Sequence, residues 1–156
     1  MASLQTQYRL ADLFKAIAEG EKQVEIVKQV LAEKSAFEPY TAFKRIDRSS
    51  NGFISTWELI DFLRENSVAV LEKDLVAIFK EHETHRDDRI SYSEFLNLVL
   101  PKTSSVLRQL ATQRQTYVVE KDEVLPYEVE FALARVFEKE IDLYSRVDLH
   151  RKELAS

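Results

Sequence analysis

The chain has 156 residues, 45% of them hydrophobic and 31% charged, with a net charge of −5, two Gly, three Pro and no Cys. This length and composition predict one mostly helical domain with a proper core. They exclude disulfides and thiolate metal sites, a membrane-spanning segment and a basic nucleic-acid-binding face. The acidity sits in the middle, where residues 36–100 carry eight basic and twelve acidic groups.

The opening Met1–Gln7 lacks the charged start and apolar run of a secretory signal. Its second residue is Ala2, not the glycine that N-myristoylation requires. An intracellular, cytoplasmic protein is therefore expected. Residues 1–35 form the first of three segments. Within it, residues 8–34 predict an amphipathic helix, with Leu10, Leu13, Ile17, Val24, Val27 and Leu31 on a 3-4 spacing. Gly20 is the small position in that seam. Such a stripe either docks on a partner or dimerises, or packs on its own domain. Roughly three heptads is the shortest length that argues for a coiled coil, which favours packing at home. Ser35 either ends this helix or caps the next.

Residues 36–101 hold two helix–loop–helix units. The first has an entering helix at 38–46, with Pro39 in its first turn, and an exiting helix at 56–65 stopped by Asn66-Ser67. The second has helices at 72–82 and 93–100, the last ended by Pro101. Between the helices lie two twelve-residue frames. The first runs from Asp47 to Glu58, the second from Glu83 to Glu94. The first fits D-x-[DN]-x-[DN]-G-x₅-E except for Ser49 at the third place.

A hard cation such as calcium takes six to eight oxygens. A twelve-residue loop supplies them from its first, third and fifth side chains, the seventh carbonyl, a water held by the ninth, and a bidentate Glu at the twelfth. The first loop offers Asp47, Ser49, Asn51, the carbonyl of Phe53, Ser55 and Glu58, with Gly52 at the bend. Ile54 is placed to pair with Ile90 in a short ribbon.

The second loop keeps the frame and loses ligand chemistry. Its corresponding positions include Glu83, Asp87, Arg89 and Glu94. Glu83 is a methylene longer than Asp, His85 brings a nitrogen, and Asp88 stands where the bend wants Gly. Arg86 and Arg89 add positive charge. At most one calcium site is expected, in the first loop, and it would be weak because only Asp47 and Glu58 carry ligand charge.

These residues resemble an EF-hand pair of the calmodulin superfamily over residues 38–100. Phe43 and Ile46 before the first loop, Ile54 within it, and Leu59, Phe62 and Leu63 after it fall where that family is apolar. The resemblance implies an all-α fold: an EF-hand pair with a minimal two-strand ribbon, here flanked by long helices.

Residues 102–156 are a helical extension. Thr103 or Ser104 is placed to cap a helix bearing Leu107, Leu110 and Ala111. Gln115–Val119 reads as a short extended linker, and Glu120–Glu123 as a solvated turn. Pro126 suits the first turn of a long final helix, along which Val129, Leu133, Val136, Phe137, Ile141 and Tyr144 repeat at helical spacing. Glu128, Glu130, Glu138 and Glu140, interspersed with Arg135 and Lys139, read as its wet face.

No nucleophile–base arrangement, phosphate loop or zinc motif supports an enzyme. His82 and His85, three apart beside Glu83, are better explained by the loop entrance than by a transition-metal site. A sensor exposes a groove for a target helix when calcium binds. Promiscuous grooves are rich in Met, and the only methionine here is Met1. The favoured reading is a non-enzymatic structural or adaptor protein bound to one fixed protein partner. Its groove would be filled by one of its own helices or by that partner. A calcium sensor is the alternative. The closing stretch from Leu125 to Glu140 (LPYEVEFALARVFEKE) is similar to the tails of ciliate axonemal EF-hand proteins. That similarity implies a cilium or axoneme setting and a cytoskeletal partner such as tubulin in a microtubule. Lys102, Arg108 and Arg114, in a stretch without acidic residues, would suit an acidic surface of that kind. Trp57, beside Glu58, reads as a packing residue or a partly exposed anchor.

Overall fold

A computed structural model describes residues 3–82 and 88–155. The first helix, α1, spans Leu4–Glu33 and starts four residues before the periodicity implied, because the Ser3 hydroxyl accepts from the Thr6 N–H at 3.1 Å. Lys34 closes it. The next helix, α2 (Pro39–Ile46), is capped by Glu38, whose carboxylate accepts from the N–H groups of Tyr40 and Thr41 at 2.9 and 2.8 Å. Ser35 therefore neither ends one helix nor caps the other. A carboxylate that reaches two free N–H groups also complements the positive end of the helix.

Strand β1 (Phe53–Ser55) leads into α3 (Thr56–Glu65), and α4 (Glu72–His82) precedes β2 (Arg89–Ser91) and α5 (Tyr92–Val99). The two strands pair antiparallel, with Ile54 opposite Ile90 as the sequence predicts. α3 stops at Asn66-Ser67 for a definite reason. Ser67 takes a left-handed φ of 64°, and the Val68 N–H returns to the Leu63 carbonyl at 2.8 Å, a Schellman ending. Ser104, rather than Thr103, caps α6 (Ser105–Thr112). The segment after α6 is extended, as expected. It is pinned where the Tyr117 N–H donates to Thr41 Oγ1 at 3.1 Å and the Tyr117 hydroxyl donates to the Ala36 carbonyl. The last helix, α7, spans Tyr127–Ala155. Pro126 lies just ahead of it, its carbonyl accepting from the Val129 and Glu130 N–H groups.

α1 and α7 run antiparallel against each other. Arg9 donates to the Glu153 carbonyl at 2.8 Å, and Lys28 lies 3.6 Å from Glu140. Between those ends, a Cβ added to Gly20 would sit 2.3 Å from Leu143 Cδ1. Gly20 does permit close approach, and the neighbour is the chain's own last helix.

The first half of α7 enters the paired helix–loop–helix unit. Val129, Leu133, Val136, Phe137 and Ile141 are buried in one core with Phe62, Leu63, Leu75, Ile78, Phe95 and Leu98. The Phe137 ring stands 6.5 Å from Phe62 and 6.4 Å from Phe95. Each such side chain removed from water stabilises the fold by about 1.5–3 kcal/mol.

The wet face assigned to α7 needs correction. Glu130 and Glu140 are buried. Glu130 accepts from Arg45 Nη2 at 2.9 Å and Nε at 3.1 Å, and from Asn66 Nδ2 at 3.2 Å. Glu140 faces Lys28, which also donates to the Asn97 carbonyl at 3.2 Å. Burial raises the Glu140 carboxyl above its ordinary range, partly opposed by Lys28, and the same burial lowers the Lys28 ammonium. Charge at these positions marks tertiary partners rather than solvent, and helical spacing alone does not distinguish the two.

Candidate functional site: the first helix–loop–helix turn

The first loop leaves α2 at Asp47, which is fully buried. Its carboxylate is turned inward and holds the loop backbone. Oδ2 accepts from the Gly52 N–H at 2.9 Å, and Oδ1 accepts from the Asn51 N–H at 3.3 Å and the Ser49 hydroxyl at 3.2 Å. Asn51 Oδ1 accepts from the Phe53 N–H at 3.1 Å. Gly52 makes the bend with φ of 86°, in the region that L side chains enter only at a cost.

Glu58, the twelfth residue, is already folded over the loop. One oxygen accepts from the Ser55 N–H at 2.9 Å. The other accepts from the Ser49 N–H at 3.0 Å and the Ser49 hydroxyl at 3.1 Å. Ser55 returns the favour by accepting from the Glu58 N–H, which completes a capping box at the start of α3. Partial burial pushes the Glu58 carboxyl up, but the donors from Ser49 and Ser55 together outweigh it and hold it below the ordinary carboxylate range.

The Ser49 hydroxyl therefore stands between two carboxylates, 3.2 Å from Asp47 and 3.1 Å from Glu58. A hydroxyl has one proton and can satisfy only one of them at a time. Asp47, Ser49 and Glu58 are thus drawn together as an oxygen cluster with excess negative charge. Ser55 Oγ is occupied by the capping box, and the Asn51 amide oxygen keeps a second lone pair. The donors are all hard oxygens, the type calcium takes. Among the described residues no group of three or more His, Cys, Asp or Glu side chains converges as a metal site, and the first loop carries only two. A cleft of about 320 Å³ opens onto Asp47, Ser49 and Lys121.

Loop and groove are joined by ion pairs. Arg48, the second loop residue, lies 3.1 Å from Glu65. Glu65 also meets Arg45 at 2.6 Å, and Arg45 holds Glu130 of α7. Nothing in the sequence pattern singled out Arg45 or Glu65, and Glu130 read only as part of a wet face. Their link runs between elements 20 and 85 positions apart.

In the second loop, Glu83, His85, Arg86 and Asp87 lie outside the described residues. The exit of the loop repeats the first. Ser91 caps α5, and Glu94, buried, accepts from the Ser91 N–H at 2.8 Å. Asp88 takes a left-handed φ of 56° at the bend, as its place in the frame requires. The Arg89 guanidinium sits 4.3 Å above the Phe53 ring and ties the two loops together. Trp57 is 62% exposed, so it is not a core packing residue. It lines a cleft of about 280 Å³ with Val76, Phe79 and Glu72.

Two helix–loop–helix units joined through a two-strand ribbon, each exit helix started by a Ser–Glu capping box, define the EF-hand pair. Residues 39–100 match the family model of the EF-hand domain pair, a calcium-binding type of module. The chain is also 38% identical over 71 residues to the curated protein Polcalcin Cup a 4 of Hesperocyparis arizonica. That similarity covers 46% of this chain and 42% of the relative. No solved structure gives a significant match. Among the described residues no helix is long and apolar enough to cross a membrane.

Proposed function

We propose that this is a non-enzymatic EF-hand adaptor whose target groove is occupied by its own last helix. It would carry one weak calcium site, in the first loop. The observation that carries this reading is the seating of Phe137 between Phe62 and Phe95, where a sensor would receive a target helix. A groove already filled by a covalently attached helix meets a very high effective concentration of competitor. Calcium would be held by Asp47, Ser49, Asn51, the Phe53 carbonyl and Glu58, with Ser55 at the ninth place. Two carboxylates give a weak site, and a loop already closed by Glu58 has little further to move.

The test is calorimetric titration with calcium at physiological magnesium, with Trp57 fluorescence and a hydrophobic dye followed in parallel. The expected result is one weak site, a small Trp57 change and no added dye binding. A large rise in dye binding with calcium would show that α7 leaves the groove and would overturn the adaptor reading.

One observation favours that second reading, a calcium sensor. The first loop reaches α7 through Arg48, Glu65, Arg45 and Glu130. A cation that shifts Arg48 would disturb the ion pairs holding α7. The partner of the adaptor is proposed as a fixed protein assembly, with a microtubule in a cilium as the candidate that the tail similarity supports. Arg114 donates to the Phe37 and Ala32 carbonyls, and Arg108 to that of Pro101, so the basic stretch supports this partner less than its charge alone implied. Co-sedimentation with microtubules tests it directly, and a protein that stays in the supernatant at low salt sinks it.

A further inference from the structure

Burying an aromatic side chain removes about 150–250 Å² from water, yet the only tryptophan of the chain, Trp57, stands exposed. The cleft it lines has two kinds of neighbour. Val76 and Phe79 are apolar, and Thr56, Glu72 and Asp88 offer oxygens. No Lys or Arg among the described residues lines it. Arg89, next to Asp88 in the chain, is committed elsewhere, its guanidinium stacked on the Phe53 ring. Asp74 reaches back to accept from the Leu71 N–H at 2.8 Å, whereas the Glu72 carboxylate has no ion-pair partner among the described residues. An exposed indole, apolar side chains and two carboxylates thus share one concave site.

We propose that this cleft is a binding site in its own right, and that it takes an arginine side chain of a protein partner. Charge and shape complementarity both favour that guest. A guanidinium is planar, stacks on aromatic faces, and sheds its water more readily than an ammonium. Tryptophan is the best ring for it. The Glu72 carboxylate can accept two parallel N–H bonds from such a fork, while Val76 and Phe79 suit its methylene stem. The chain already uses this pairing for itself, with Arg89 over Phe53 at 4.3 Å and Arg45 over Phe62 at 5.2 Å. Other guests fit worse. A phosphate-bearing partner, whether nucleic acid or lipid headgroup, would meet Glu72 and Asp88 as like charges. A purely apolar segment would cover those carboxylates unpaired. The described lining residues belong to β1, α3, α4 and the second bend, not to α7, so the cleft stays open when α7 fills its groove. The site names a partner chemistry for the adaptor and rests on that reading for its use.

Because Trp57 is the only tryptophan, its fluorescence reads the site directly. The full chain, without calcium, is titrated with a capped peptide of alternating glycine and arginine. A saturable change in Trp57 emission is expected. Replacing arginine by citrulline keeps the shape, removes the charge, and should weaken binding about tenfold or more. Glu72→Gln, at an exposed position, should keep the helical circular dichroism and weaken binding about fivefold to tenfold. Trp57→Ala, followed by anisotropy of a dye-labelled peptide, should do the same. Glu128→Gln removes one equally exposed charge on α7 and should leave the affinity unchanged. No saturable change at any peptide concentration overturns the proposal. So does equal binding of the citrulline peptide or of a leucine one, which would make the cleft a plain apolar surface. Equal loss from Glu128→Gln and Glu72→Gln would reduce the effect to net charge and overturn it too. A lysine peptide that binds as tightly overturns the choice of arginine. A rise in dye binding with calcium, alongside intact arginine binding, would sink the filled groove and spare the cleft.

Discussion

The two loops close in the same way and bend differently. Both exits start a helix with a capping box, Ser55 with Glu58 and Ser91 with Glu94, and they share a ribbon in which Ile54 faces Ile90. At the bend, the first loop has Gly52 and the second has Asp88, both at positive φ. The frame is thus held by backbone hydrogen bonds and apolar pairing that need no ion. Ligand chemistry is a separate layer from this frame: among the described residues of the second loop, the positive φ at Asp88, the ribbon and the exit cap match the first. The twelfth-position Glu caps the exit helix in both loops, Glu58 with Ser55 and Glu94 with Ser91, a role that needs no ion.

That comparison can be broken most directly with calcium. Glu58→Gln should abolish the calorimetric signal, whereas Glu94→Gln should leave it unchanged. Equal loss from both would make the second loop a true site. At the bends the expected signs are opposite. Gly52→Ala forces a Cβ into the left-handed region and should cost about 1–2 kcal/mol, with no steric contribution, since no atom lies within 4 Å of that Cβ. Asp88→Gly relieves the same conformation and should gain about 0.5–1 kcal/mol. Urea denaturation measures both, and a loss at Asp88 would show that its side chain holds the bend. The caps should behave alike. Ser55→Ala and Ser91→Ala should each cost ~1 kcal/mol, and a large difference between them would mean the shared frame is not shared in energy.

The smallest effect is that of pH. Glu58 is held below its ordinary range in the folded state, so the unfolded chain takes up its proton first as the pH falls. Its contribution is fully present above the ordinary carboxylate range and is lost as pH drops through the lower folded value. Acid titration of the Glu58→Gln protein should lack that part of the decline. An unchanged acid limb would show that the Ser49 and Ser55 donors do not favour the carboxylate.

Local signals were legible because they act over a few residues. The spans of α3 and α4, the Asn66-Ser67 stop, the ribbon register and the cap of α6 at Ser104 all rest on hydrogen bonds between near neighbours or on apolar alternation. The carboxylates of Glu130 and Glu140 were misread as a wet face for the opposite reason. Their partners, Arg45 and Lys28, lie 85 and 112 positions away, and no periodicity encodes a partner at that distance. Ser49 was legible as the third place of the loop frame. Its hydroxyl standing between Asp47 and Glu58 was not, since that depends on Glu58 folding back over the loop.

The sequence by itself determined that the chain forms an EF-hand pair between long amphipathic helices, and that its first loop has oxygen donors at the right spacing. Tertiary structure alone decided that α7 fills the groove, that Gly20 serves α7 rather than a partner, and that Trp57 is left exposed. Apolar stripes record that a face must be covered. Which face covers it depends on how helices far apart in the chain come together, because hydrophobic burial has no direction and accepts any surface of suitable shape.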